Sequence, residues 1–242
     1  MSLLLTPLVV IVAALVASTL AAIAGFGGAA VLLPILVWAF GVRDAIPILT
    51  VAQLVGNGSQ VWFNRKQLVL PVVGWFALGA LPLAAAGGVL FATAPAPALR
   101  RLLGLFLLLT VVYRHTPFGR KATFGLRGFA AIGAVFGFLS ALLGSVGPLM
   151  APFFLAFGLV KGAYIATEAA ATVTMHIAKI ATYGGFGLFS ARSLLTALGI
   201  GVVMVAGSYL GKRVLDRVPE RVFPILIEAV LIVGGLQFLI FD

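Results

Sequence analysis

Glu168, Thr172, His176 and Lys179 recur at steps of three and four residues, so on a helix they share one face. A carboxylate, an imidazole and an amine on one face can pair their charges, pass a proton or attract an anion. They sit in an otherwise apolar run, Ala163–Tyr183, where a membrane helix would hold them at an energetic cost that function must offset. The first half carries an uncharged relative in Ala45–Phe63 and the Asn64 that closes it. There Thr50, Gln53, Asn57, Gln60 and Asn64 form one polar stripe. The two stripes imply a polar path through an apolar protein. In it Lys179 attracts an anionic substrate, and Glu168 or His176 carries a coupling proton. The bland alternatives are hydrogen bonds between helices, a Lys179 ion pair with Glu168 or Glu228, and a Glu168 merely solvated near Lys161.

The elements that must position these stripes follow two glycine breaks. Gly25-Phe-Gly-Gly28 interrupts the uncharged run Ser2–Val42, and Gly144-Ser-Val-Gly147 with Pro148 interrupts Gly128–Val160. Each run is longer than the ~20 residues that one crossing needs. Two legs joined at a break use the length, the first being Pro7–Ala24 then Ala29–Gly41. A new helix starts after each break, and its free N–H groups and dipole favour an anion. This makes Gly25, Gly27, Gly28, Gly144, Ser145 and Gly147 candidate binding positions, with Ser145 adding a hydroxyl. Thr50, Gln53, Asn57, Thr172, His176 and Lys179 complete the expected substrate site. The bland reading of the glycines is close helix packing.

Composition sets the class. Over 242 residues the chain is 62% hydrophobic and 9% charged, which fits a polytopic all-α membrane protein and not a soluble domain. Its net charge of +10 is scattered between apolar runs, so no nucleic-acid surface is expected. There is no cysteine, and the only two histidines lie far apart, so neither a metal site nor a cofactor is expected. No basic residue precedes the first apolar run, so no signal peptide is expected there.

The order of elements repeats. Pro34 precedes Ala45 and Thr50 by the same intervals as Pro152 precedes Ala163 and Glu168. Further spans are expected within Leu70–Phe91, at the short Leu102–Tyr113, at Ser193–Gly211 and at Val222–Phe241, with a basic loop over Lys212–Arg221. Two repeats, residues 1–122 and 123–242, are therefore expected. If each double-length run crossed the membrane once, Lys and Arg would divide evenly between the sides. If each is a re-entrant hairpin, Arg43, Arg100, Arg101 and Arg192 face one side and nearly all other basic residues face the opposite one. That restores a positive-inside asymmetry. It gives each half a hairpin plus about three crossings, and makes the repeats inverted.

The glycine breaks with Pro34 and Pro152 downstream, and Asn64-Arg65-Lys66 after the second span, resemble the TauE/SafE family of membrane transporters over essentially the whole chain. Val146 and Pro148 stand where that family has a denser glycine run. The resemblance implies export of small sulfur-containing anions, such as sulfite or sulfoacetate, across the bacterial cytoplasmic membrane. A secondary transporter is thus expected, with the lipid bilayer, a small anion and a coupling ion as partners. A homo-oligomer is left open. An anion channel, or a transporter of another organic anion, is the alternative. A membrane-embedded enzyme or assembly factor finds no nucleophile, triad or nucleotide loop to support it.

Overall fold

The computed structural model describes residues 2–25, 28–99 and 125–219. Among these residues the regular structure is helical, with no strand. In chain order the helices are α1 (Ser2–Ala24), α2 (Gly28–Phe40), α3 (Val42–Asn64), a 3-10 turn (Arg65–Gln67) and α4 (Leu70–Thr93). Then come α5 (Gly128–Leu143), α6 (Gly147–Ala156), α7 (Lys161–Gly185) and α8 (Ala191–Arg217). The sequence of break, short helix, polar-striped helix and long apolar helix thus occurs twice. Gly27, the expected spans Leu102–Tyr113 and Val222–Phe241, Glu228, and the expected boundary after residue 122 lie outside the described residues.

Among the described residues three helices are long and apolar enough to cross a membrane: Leu5–Ala24, Leu70–Thr93 and Ala191–Arg217. Large apolar side chains such as Leu78, Leu195 and Val202 are exposed on α4 and α8, as a lipid-facing surface requires. The polar-striped α3 and α7 pack against each other and against α8 and α4, which keeps their stripes away from that surface. One expected boundary is corrected. The segment from Lys212 is not a loop, because α8 continues to Arg217. Its charges are satisfied along the helix: Lys212 pairs with Asp216, and Arg213 donates to the Tyr209 hydroxyl and lies 4.7 Å over its ring.

Pairwise contacts fix the helix directions. Val55 meets Gly201, Gly56 meets Met204, and the rings of Phe63 and Tyr209 lie 5.9 Å apart, so α3 and α8 run the same way. α1 runs with them, since Gly207 faces the Leu15 carbonyl and Gly211 the Thr19 carbonyl. α4 and α5 share a direction, with Phe76 at Gly133, Ala80 at Gly137 and Gly87 at Phe138. α7 runs with α4, from Thr167 beside Val69 to Thr182 beside Gly88. The two sets oppose each other: Asn57 meets His176, while Gln67, just beyond α3, meets Gly162 at the start of α7. Arg65, Lys66, Arg127, Lys161, Lys212, Arg213 and Arg217 therefore gather at the end where α3 and α8 finish. Arg43 and Arg192 lie at the other end. There the Arg43 guanidinium donates to the carbonyls of Ala92 (2.7 Å) and Ala94 (3.2 Å), closing the C-terminus of α4.

The glycines on α4, α5 and α8 let backbones touch, as the spacing of Gly207 and Gly211 predicts. A Cβ at Gly137 would stand 2.7 Å from the Ala80 carbonyl oxygen, which is backbone and cannot turn aside. Gly137→Leu is expected to destabilise the detergent-solubilised protein by about 3 kcal/mol, the upper range for overpacking. A thermal-shift measurement unchanged from the parent would show that this seam does not hold the fold.

Candidate functional site

Each break turns on a glycine in the left-handed region, Gly25 at φ +80 and Gly144 at φ +82. A side chain would be strained at either place. Each glycine also packs on the polar-striped helix of the opposite half. A Cβ on Gly25 would run into the Tyr164 ring of α7, with Cζ at 2.6 Å. One on Gly144 would stand 3.3 Å from Ile46 of α3 and from Leu33 of α2. Gly28 lies against α1, at the Ala17 carbonyl and the Ala21 methyl, so α2 folds straight back along α1. The start of α6 has no side-chain cap.

The two breaks meet at one cavity of about 40 Å³. A buried water needs ~10–15 Å³ on that scale, so the space suits a few waters or one compact ion. Gly25, Gly28 and Ala29 form its wall on one side, and Gly144, Ser145, Val146 and Gly147 on the other. Gln53 and Asn57 reach it from α3, and Glu168, Thr172, Met175 and His176 from α7. Ala21, Ser140 and Met204 complete it from α1, α5 and α8. Ten of the expected site positions thus share one cavity, although they come from both halves of the chain.

Two expected positions are not in this wall. Thr50 is buried and turns its hydroxyl back to the Ile46 carbonyl (2.8 Å), the usual bond of a threonine inside a helix. Lys179 is fully buried one layer behind the cavity, where its amine donates to Ser140 Oγ (3.3 Å). Ser140 is itself a wall residue, so the lysine reaches the cavity through one hydroxyl.

The alternatives for Glu168 are also decided. It is 3% exposed and hence not a surface carboxylate beside Lys161, and its Oε1 accepts from the Thr172 hydroxyl at 3.3 Å. It is not paired with Lys179. Eleven residues of helix hold the two ~16 Å apart along the axis, so sharing a face does not bring them into contact. Across the cavity the Asn57 amide donates to His176 Nε2 at 3.3 Å. A neutral imidazole accepting there carries its proton on Nδ1, which is buried and has no partner among the described residues.

The wall therefore combines donors with one carboxylate. The donors are the amides of Gln53 and Asn57, the hydroxyls of Ser140 and Ser145, an unspent imidazole N–H and two helix starts, while the Thr172 hydroxyl is spent on Glu168. Such an array can bind a small anion and hold a proton beside it. The sequence reading missed Ser140, although it is the one polar side chain on α5 and stands one turn before Gly144. Met204 gave no signal, being one apolar residue on an apolar helix.

No curated protein and no solved structure matches the chain significantly. A family model does, described as sulfite exporter TauE/SafE and spanning residues 10–238. With that match over nearly its whole length, and with helices fit to cross a membrane, the chain belongs to the TauE/SafE sulfite exporter family of membrane transporters.

Proposed function

We propose that this protein is a multi-pass secondary transporter of the bacterial cytoplasmic membrane. It moves small sulfur-containing anions such as sulfite or sulfoacetate outward, holding the anion between the starts of α2 and α6. One observation carries the reading: two glycine breaks from opposite halves line the same small cavity, with donor side chains around it. The size of the cavity favours a compact anion over a bulky one. Lys179, acting through Ser140, adds positive potential, and Glu168 and His176 are the ionisable wall groups available to a coupling proton.

The halves act as inverted repeats, each opening with a re-entrant hairpin. Support comes from direction: α1, α3 and α8 run against α5, α7 and α4, so every long helix opposes its counterpart. Support comes also from charge, since the basic residues gather at one end, which then faces the cytoplasm. The test is flux of labelled sulfite and sulfoacetate in proteoliposomes, with and without a pH gradient. Saturable flux that responds to the gradient is expected. Flux no greater than in empty liposomes for both anions overturns the substrate assignment, and flux indifferent to the gradient removes the proton from the mechanism.

A further inference from the structure

Beyond the cavity, towards the basic end, the seam between α3 and α8 is polar in a way that helix packing does not require. Gln60 and Ser208 are buried, and the Gln60 Nε2 and Ser208 Oγ atoms have no hydrogen-bond partner among the described residues. The two lie at one level, between the Gly56–Met204 contact on the cavity side and the Phe63–Tyr209 contact beyond. Asn64, one turn further along α3, is also buried. Its amide nitrogen donates to the Gln60 carbonyl (3.0 Å), but its Oδ1 has no partner among the described residues. Buried polar atoms without partners cost free energy and are kept where water or a ligand serves them.

The equivalent place in the other half is closed. Gly88 of α4 lies against the Thr182 side chain of α7, with Cγ2 3.0 Å from where a Cβ would stand, and the Thr182 hydroxyl is spent on the Ala178 carbonyl (2.9 Å). Two seams in equivalent positions therefore differ: one is packed, and the other carries unspent amide and hydroxyl groups.

We propose that the α3/α8 seam is the anion's route between the cavity and the basic end of the protein, with Met204 as the closure at its inner mouth. The proposal rests on the transport reading above. Met204 suits the role because it is at once a wall residue of the cavity and the side chain filling the gap at Gly56, one turn short of Ser208. The outer mouth is basic. Asn64 is followed by Arg65 and Lys66, and Ser208 is followed one turn on by Lys212 and Arg213, a rim that concentrates anions before entry.

The chain has no cysteine, so single cysteines report access directly. Gln60→Cys and Ser208→Cys would be compared with Ala178→Cys and Thr182→Cys, using a membrane-impermeant maleimide on inside-out and right-side-out vesicles. Labelling after denaturation gives the total thiol. The seam positions are expected to react about tenfold faster than the other pair, and only from the cytoplasmic face, because reaction needs a hydrated thiolate. Met204→Ala should leave both seam positions reactive and admit the same cytoplasmic reagent to a cysteine in the cavity wall, Ser145→Cys, which Met204 otherwise shields. Equal rates for the two pairs, or labelling of the seam from the outer face alone, overturns the route. Labelling does not depend on sulfite flux, so a protein that labels as expected but moves no sulfite keeps the route and loses the substrate.

Discussion

Gly25→Ala is expected to reduce anion flux on the order of a hundredfold while leaving membrane insertion intact. Two costs combine at this position. The left-handed backbone, φ +80, disfavours any side chain by ~1–2 kcal/mol. The added methyl then meets the buried Tyr164 ring, whose Cζ would stand 2.6 Å away. The tip can relieve that overlap only by moving, and the start of α2 moves with it. Small displacements of a binding group cost large factors in rate. Gly158→Ala is the matched control. Its φ is +91, so the backbone strain is alike, but no atom lies within 4 Å of its Cβ position. It should lose about 1 kcal/mol of stability and keep its flux. Gly144→Ala should fall between the two, because Leu33 and Ile46 stand at 3.3 Å and their side chains can yield. If the Gly25 and Gly158 variants transport equally well, the first break is a turn and not part of the site.

Lys179→Met should weaken anion binding about tenfold or more while the protein stays as stable as the parent. The amine is fully buried, and among the described residues no carboxylate pairs with it; its hydrogen bond goes to Ser140 Oγ. A charge-assisted bond contributes ~1.5–3 kcal/mol, and the anion would feel part of that through the polarised hydroxyl. Methionine fills a similar volume without a charge, so removing a buried amine can leave stability unchanged or raise it. Ser140→Ala should produce a similar loss, and the double variant little more than either, because the two act as a unit. Isothermal titration with sulfite and a thermal-shift series separate the roles. Full affinity with a marked drop in stability would make Lys179 a structural lysine, leaving the helix starts to hold the anion unaided.

The residues themselves determined a great deal here. Apolar composition fixed a helical membrane protein, because only helices or closed barrels satisfy the backbone in lipid. The glycine breaks were legible because an apolar run longer than one crossing must turn, and glycines at its middle can supply the turn. The stripes on α3 and α7 were legible because helical periodicity is local. Which stripe residues meet was not local. Thr50 and Lys179 lie on the expected faces, but depth along the axis decides contact, and Thr50 bonds its own helix while Lys179 stops one hydroxyl short of the cavity. Glu168 and Lys179 share a face and stay apart for the same reason. Ser140 and Met204 enter the wall only because α5 and α8 cross the breaks at those levels. The end of α8 was misjudged because Lys212 and Arg213 read as loop, whereas pairing with Asp216 and Tyr209 lets the helix carry them to its end. Periodicity assigns a residue to a face; only the packing of one helix on another assigns it a depth and a neighbour.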